Sequence, residues 1–148
     1  MANITQTKQD RVLVIEDEPY IREVCRLALS EEGFQIDTVE NGDVALNKLR
    51  CEGYDLCLID LRMPTMNGMQ FFEQLEIEFP ELLNKIVFTT GDLMNSEVSL
   101  FLSKSNRPLL PKPFTINELK IIIKTNLGLT VKNIDESLKS SRIKNDLA

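Results

Sequence analysis

Short apolar runs and stretches of helical spacing alternate along this chain. Five runs rich in apolar and β-branched residues are predicted strands, covering residues 11–16, 34–39, 55–60, 85–89 and 109–111. Between them apolar side chains recur three and four positions apart, which predicts helices, the fourth near residues 93–104. The first and third runs lack polar alternation, as is typical of central parallel strands covered on both faces. The pattern predicts an α/β fold, a doubly wound five-stranded parallel sheet.

Helix-start signals support this division of the chain. Asn41 and Asn67 stand where the N-caps of the second and third helices are expected. Thr115 and Glu118 have the spacing of a capping box at the start of the last helix. These polar residues therefore mark where the strand-to-helix loops end.

Composition narrows the class of protein. The chain has 148 residues, of which 43% are apolar, and this is enough for one domain. Because no apolar run approaches the roughly 20 residues of a membrane span and no signal sequence opens the chain, we expect a cytoplasmic protein without membrane contact. The net charge of −6 argues against direct nucleic-acid binding, so partners should be proteins. The three cysteines lack CxxC spacing, and structural zinc and disulfides are not expected.

The domain predicted from these patterns covers residues 11–127, after an N-terminal tail of residues 1–10. Residues 128–148 are polar and form a predicted C-terminal tail or linker. Within them Val131, Ile134 and Leu138 have helical spacing, which leaves open a short helix that docks on the domain or on a partner.

Polar residues at the strand ends form a candidate site. In open parallel sheets, sites lie beyond the carboxyl ends of the strands. Glu16 and Asp17 end the first strand, Asp60 ends the third, and Thr90 and Lys112 follow the fourth and fifth. Three carboxylates at one edge repel one another, so they favour a bound cation. Mg²⁺ suits them, because it prefers oxygen ligands.

The chain has no histidine, so its chemistry must come from carboxylates, hydroxyls and lysine. With a metal present, Asp60 can attack phosphorus as a nucleophile while Lys112 pairs with the transferred oxygens. Thr90 supplies a hydroxyl; Thr89 is the competing candidate for that role, and alternation along the strand together with the adjacent Gly91 favours Thr90. Ordinary alternatives exist: Asp60 could cap a helix, and Glu16 with Asp17 could favour a helix N-terminus through its dipole.

Four segments resemble signatures of response-regulator receiver domains: VLVIEDEP, LCLIDLRMPTMNG, VFTTG and LLPKPF. The resemblance covers about residues 11–127 and implies the (βα)5 flavodoxin-like receiver fold. It implies that Asp17 and Asp60 bind Mg²⁺ directly, that Glu16 acts through metal-bound water, and that the main-chain carbonyl of Arg62 is a third protein ligand. It also implies a cis peptide between Lys112 and Pro113.

The resemblance further implies a phosphorylation switch rather than a turnover enzyme. Its donor would be a histidine kinase or phosphotransfer domain, or a small phosphodonor such as acetyl phosphate, and its output a downstream protein partner. The chain would be a monomer or a phosphorylation-dependent dimer, and the segment RPLLPKPF resembles receivers attached to hybrid sensor kinases. A receiver-like scaffold that binds its partner constitutively is the alternative, and a phosphatase that uses an aspartyl phosphate is disfavoured.

Two departures from the receiver pattern stand out. Glu16 lies where aspartate is frequent, which lengthens the acidic arm. Leu109 lies where many receivers have a Tyr or Phe that turns inward on activation, so an aromatic toggle cannot operate at that position.

Overall fold

The computed structural model describes residues 8–129, which form five strands, five α-helices and a short 3-10 helix. The strands are β1 (Arg11–Ile15), β2 (Gln35–Val39), β3 (Leu56–Asp60), β4 (Ile86–Thr90) and β5 (Leu109–Pro111). The helices are α1 (Pro19–Glu31), α2 (Gly42–Cys51), α3 (Gly68–Glu78), α4 (Ser96–Ser105) and α5 (Ile116–Asn126), with the 3-10 helix at Pro80–Lys85. The helix considered around Val131, Ile134 and Leu138 lies outside the described residues.

All strand pairs are parallel, and the strand order is β2-β1-β3-β4-β5. The predicted doubly wound sheet is therefore confirmed. The chain moves from β1 to β2 in one direction and then continues from β3 in the other, so the winding reverses between β1 and β3. The carboxyl ends of these two strands flank the crevice where such sheets place their sites.

The central strands contribute to hydrophobic clusters on both faces of the sheet. The cluster beneath α2, α3 and α4 takes one set of strand residues: Leu13, Ile15, Cys57, Ile59 and Phe88. The cluster beneath α1 and α5 takes the intervening set: Val12, Val14, Leu56, Leu58 and Val87. Because successive residues enter opposite clusters, these strands cannot show a polar alternation.

Aromatic rings and thiols behave as packing groups. Phe72, Phe88 and Phe101 meet edge to face, with ring centroids 5.3 to 5.6 Å apart. Cys25 and Cys57 are buried free thiols, and burial raises the pKa of each to about 12. No disulfide forms among the cysteines of residues 8–129.

Element boundaries differ modestly from the sequence predictions. The caps at Asn41 and Asn67 are confirmed, since their side chains accept from the backbone N–H groups of Val44 and Gln70. The fourth helix begins at Ser96, later than predicted, because Leu93 and Met94 lie in the loop before it. The spacing of these apolar loop residues matches that of a first helical turn, which explains the early predicted start.

Of the capping box predicted at Thr115 and Glu118, the N-cap at Thr115 is confirmed but the reciprocal contact of Glu118 is wrong. The Thr115 hydroxyl accepts from the Glu118 N–H at 3.1 Å, but it also donates to the Glu118 carboxylate, so that carboxylate does not bind the Thr115 backbone. The reciprocal arrangement forms instead at the start of α3 between Asn67 and Gln70. Among residues 8–129, none of the helices has the length and apolar character that a membrane crossing requires.

Candidate functional site

Three carboxylates converge at the carboxyl ends of β1 and β3. Glu16 directly follows β1 and Asp60 is the last residue of β3, and Ile15 and Ile59 just before them are paired in the sheet. Glu16, Asp17 and Asp60 each offer an oxygen within 4.8 Å of the others. Glu16 and Asp60 are only 1% and 3% exposed. The sheet thus gathers buried anions at one edge.

Lys112 joins two of these carboxylates. Its Nζ lies 2.9 and 3.0 Å from the two Glu16 oxygens and 3.0 Å from Oδ2 of Asp60. The backbone brings it there, because the Lys112 N–H donates to the Thr90 carbonyl at 2.9 Å and the Lys112–Pro113 peptide is cis. The cis bond implied by the family resemblance is therefore present.

The electrostatics of the cluster follow from burial and charge. Burial, followed by the neighbouring Asp60 carboxylate, raises the pKa of Glu16 to about 8, although the Lys112 ammonium opposes the shift. Burial alone would lower the pKa of Lys112, but its contacts with Glu16 and Asp60 raise it above its ordinary value. One ammonium faces three carboxylates, so the pocket favours an additional positive charge.

The donor set fits a hard divalent cation. Carboxylate oxygens are the ligands that Mg²⁺ prefers, and it commonly uses one or two of them together with water and phosphate. The spacing of the three oxygens allows them to share one ion. The predicted Mg²⁺ therefore agrees with the chemistry of the residues present.

The two candidate threonines face opposite sides of the sheet. Val87 belongs to the cluster beneath α1 and α5 while Phe88 belongs to the other, so alternation directs Thr89 toward the side of Asp60 and Thr90 away from it. Thr90 is fully buried at the end of β4, and its Oγ1 accepts from the Asp92 N–H at 3.1 Å. Strand alternation thus does not select Thr90, and its role stays a prediction based on the motif.

Arg62 contacts the site through its main chain and its side chain. Its backbone N–H donates to Oδ1 of Asp60 at 3.0 Å. Its guanidinium forms a 2.8 Å ion pair with Asp92, which links the loops after β3 and β4. The predicted role of its carbonyl as a metal ligand stays a prediction.

Arg22 is a site residue that the sequence reasoning missed. Its Nη1 donates to the carbonyl oxygens of Glu16 and Asp17, each at 2.9 Å. It therefore fixes the loop that carries both carboxylates. The available signal was an arginine on the first turns of α1, five and six residues after the acidic pair, where it can reach back to that loop.

Gly68 is a second site position that sequence reasoning missed, because the need for a glycine there was not evident from the sequence. An added Cβ would lie 2.7 Å from the Asp60 carbonyl oxygen and 2.8 Å from the Leu61 Cα. Both are backbone atoms of the strand end that carries Asp60. Asn67-Gly68 was read as a helix start, but its glycine also permits this close approach.

Comparisons with known proteins agree with the fold. Residues 12–124 match the family described as response regulator receiver domain, and the chain belongs to that family. The DNA-binding transcriptional regulator NtrC of Salmonella typhimurium is 33% identical over 112 residues, which are 76% of this chain and 24% of NtrC. The sensor histidine kinase GacS of Pseudomonas protegens is 30% identical over 139 residues, 92% of this chain and 15% of GacS.

A solved structure of the response regulator TrrA from Thermotoga maritima, in complex with Mg²⁺ and BeF, is also similar. It is 34% identical with a TM-score of 0.68, and the match covers 80% of this chain and 99% of that one. The chain spans between 15% and 55% of the length of the curated relatives it matches. It is a phosphoacceptor module of two-component signal transduction, and its family binds Mg²⁺ at an acidic pocket.

Proposed function

We propose that Asp60 accepts a phosphoryl group from a phosphohistidine of a histidine kinase or phosphotransfer domain, and that a protein partner reads the resulting change. The observation that carries this proposal is the Lys112 ammonium, held between the buried carboxylates of Asp60 and Glu16. A lysine and three acids at the switch point of a parallel sheet suit phosphoryl transfer better than any structural role.

Mg²⁺ would be held by Asp17 and Asp60 directly, by Glu16 through water and by the carbonyl of Arg62. Bound there, the ion would neutralise the oxygens of the transferring phosphoryl group. Arg22 supports this assignment, because it fixes the backbone that presents both Glu16 and Asp17. The TrrA complex with Mg²⁺ and BeF supports the same assignment by similarity.

In the transfer an Asp60 oxygen forms a bond to phosphorus while the phosphorus–nitrogen bond of the donor breaks. The donor imidazole keeps the bonding electrons and takes up a proton. Lys112 already touches Asp60 and holds positive charge where the phosphoryl oxygens arrive. The Thr90 hydroxyl, which in this state accepts from the Asp92 N–H, would donate to a phosphoryl oxygen after turning toward the site.

The donor protein has a suitable approach beside Lys112. A cavity of about 510 Å³ lies between the start of α1 and the loop before α5, and its lining includes Tyr20, Ile21, Val24, Phe114 and Lys112. Tyr20 is exposed at the outer side of α1. An apolar surface next to the reactive lysine supports docking of a partner helix that carries the phosphohistidine.

The output surface we propose consists of α4, β5 and α5. Leu93, Met94 and Leu100 are exposed on and before α4, and Met94 is 97% exposed. Movement of Thr90 would pull the adjoining loop and so change this surface. Leu109 is half-buried against the cluster beneath α2, α3 and α4, so we infer that switching proceeds here without an aromatic side chain at that position.

We place the receiver unit at residues 11–127 of a cytoplasmic protein. It makes no direct contact with nucleic acid or membrane, and it is a monomer or a phosphorylation-dependent dimer. Sedimentation with and without beryllofluoride decides between these two states. The similarity to GacS supports a receiver of the hybrid-kinase type.

The test is phosphorylation by acetyl phosphate with Mg²⁺, followed by intact-mass measurement. We expect one acid-stable, base-labile phosphoryl group on the wild-type chain, none on Asp60→Asn, and wild-type labelling of Asp43→Asn, which removes an exposed acid on α2. Labelling that persists in Asp60→Asn would overturn the assignment. No adduct with any donor would favour the constitutive scaffold, and multiple turnover of phosphoesters would favour a phosphatase.

A further inference from the structure

Thr89 carries a buried hydroxyl whose partner is missing. The residue is 3% exposed, and its Oγ1 has no hydrogen-bond partner among the described residues 8–129. Buried hydroxyls are nearly always paired, since leaving one unpaired costs the free energy of desolvation without compensation. The unpaired Thr89 hydroxyl therefore costs stability, and a functional role would account for that cost.

Sheet register places Thr89 next to the phosphoacceptor. Asp60 on β3 and Thr89 on β4 are direct partners in the register. Both point toward the face covered by α1 and α5, because Leu58 and Val87, two residues earlier on each strand, belong to the cluster on that face. Thr89 is thus the neighbour of Asp60 on the same face of the sheet.

The Lys112 side chain lies close to Thr89 where it extends toward Asp60. It follows β5, and β4 lies between β5 and β3 in the sheet. The lysine side chain therefore crosses β4 to reach Asp60, and Leu110, two residues before it, faces the α1 and α5 side. Thr89 is on β4, the strand that the Lys112 side chain crosses. It is also on the face covered by α1 and α5, along which that side chain extends.

Both oxygens of Asp60 already have a donor in the unphosphorylated chain. Oδ1 accepts from the Arg62 N–H and Oδ2 from the Lys112 ammonium, each at 3.0 Å. A phosphoryl group adds nearly two negative charges, which attract the ammonium away from the carboxyl oxygen toward the phosphoryl oxygens. One buried acceptor on Asp60 then loses its donor.

We propose that phosphorus bonds to Oδ1 of Asp60 and that Thr89 is a positioning residue whose hydroxyl, unpaired before phosphorylation, donates to Oδ2, the remaining carbonyl oxygen, when Lys112 leaves it. This inference rests on the proposed function of Asp60. An unpaired donor penalises only the unphosphorylated form, and pairing it stabilises only the phosphorylated form. Thr89 therefore shifts the equilibrium between the two forms toward the phosphorylated one.

The test compares Thr89→Val, which exchanges the hydroxyl for a methyl group, with Thr89→Ser, which keeps the hydroxyl. Thermal unfolding is measured for each chain without ligand and with Mg²⁺ and beryllofluoride, a mimic of the phosphoryl group. We expect Thr89→Val to have a higher Tm than the wild type without ligand, because it removes an unpaired polar group. With beryllofluoride, we expect a smaller increase in Tm and roughly three- to tenfold weaker apparent binding, as loss of one hydrogen bond predicts.

Thr89→Ser should keep the wild-type response to beryllofluoride even if its Tm falls. Thr38→Val is the matched control, because Thr38 lies on β2, which β1 separates from β3, and its response should equal that of the wild type. An equal Tm increase in Thr89→Val and the wild type overturns the role of Thr89. A wild-type chain that does not respond to beryllofluoride overturns the proposed function instead, so the two failures are distinguishable.

Discussion

At Gly68 a single hydrogen atom in place of a side chain determines how closely α3 approaches the end of β3. The loop from Asp60 to Gly68 turns back on itself, and the Gly68 N–H donates to the Leu61 carbonyl at 3.1 Å. The atoms that a Cβ would strike are backbone atoms of Asp60 and Leu61, which cannot move aside as a flexible side chain can. The geometry of the phosphoacceptor thus depends on a residue with no functional group.

We expect Gly68→Ala to lower the free energy of unfolding by about 1–3 kcal/mol, because overpacking forces the backbone of the strand end to shift. The shift should also slow phosphorylation by acetyl phosphate. Gly53→Ala is the control, since a Cβ at Gly53 meets nothing within 4 Å. Urea denaturation of both variants tests this, and equal stabilities for the two would contradict it.

At the scale of elements, α1 and α5 are joined by a cluster of charges at their ends. The Glu32 carboxylate, at the C-cap of α1, lies 2.5 Å from Lys124 and 3.1 Å from Lys120 on α5. The hydrogen bond from Lys124, aided by Lys120 and opposed by burial, lowers the pKa of Glu32. All three side chains are mostly buried, so solvent screens this cluster less than an exposed pair.

The lowered pKa of Glu32 makes the stability of the α1–α5 contact dependent on pH. The contribution is fully present above the unfolded pKa of a glutamate, roughly 4.3, and is lost as the pH falls through the lower folded pKa. We expect Glu32→Gln to be about 1 kcal/mol less stable than the wild type at neutral pH and to match it once Glu32 is protonated.

Denaturation over a range of pH measures this difference, with Glu31→Gln as the adjacent control. Glu31 is 73% exposed and lies 3.6 Å from Lys120, so its removal should change stability little at any pH. A deficit of Glu32→Gln that persists in acid would show that packing, rather than ionisation, is responsible.

The sequence allowed the elements and their order to be predicted because apolar runs and helical spacing are local properties. The last strand was predicted at the residues that form β5, and β2 and β3 began within one residue of the expected positions. The start of α4 could not be placed as well. Leu93 and Met94 are apolar but exposed, and spacing alone does not distinguish an exposed loop residue from a buried helical one.

Some site residues could be predicted from the sequence, and others could not. Glu16, Asp17, Asp60 and Lys112 were predicted to converge because the ends of parallel strands meet at one edge. The contacts of Arg22 with two carbonyl oxygens and the close approach at Gly68 depend on three-dimensional detail that no spacing rule encodes. Strand alternation does not decide between Thr89 and Thr90, because the register pairs Thr89 with Asp60, so Thr90 stays a prediction that rests on the motif.

At the scale of the whole molecule, the fold buries more acidic than basic groups at the site. The free energy gained from packing the hydrophobic clusters compensates for the cost of burying this net negative charge. Glu16 and Asp60 are among the few buried polar residues within residues 8–129, and Lys112 is the ammonium that contacts them. Burial and the charge of Asp60 raise the pKa of Glu16 to about 8, which reflects this repulsion. The arrangement suits a pocket that must attract a cation and a reactive phosphoryl group, and such sites commonly cost stability.

Asp60→Asn should therefore stabilise the chain when divalent cations are removed with a chelator. Above about pH 8, where Glu16 is ionised, it deletes one of three clustered negative charges, while Lys112 keeps both oxygens of Glu16 as partners. The gain should be about 1 kcal/mol, because relief of a like-charge contact near 4 Å, about 4 kcal/mol at an effective dielectric constant of 20, is largely offset by loss of the Asp60–Lys112 attraction. Thermal unfolding without Mg²⁺ should show a higher Tm for the variant, and Glu73→Gln, which removes an exposed charge on α3, should match the wild type.

Added Mg²⁺ should narrow the difference in Tm between Asp60→Asn and the wild type, because the wild type retains all three carboxylates and gains more from binding the ion. A variant less stable than the wild type without divalent cations would mean that the Asp60–Lys112 contact outweighs the repulsion, and that the pocket is stable without a metal.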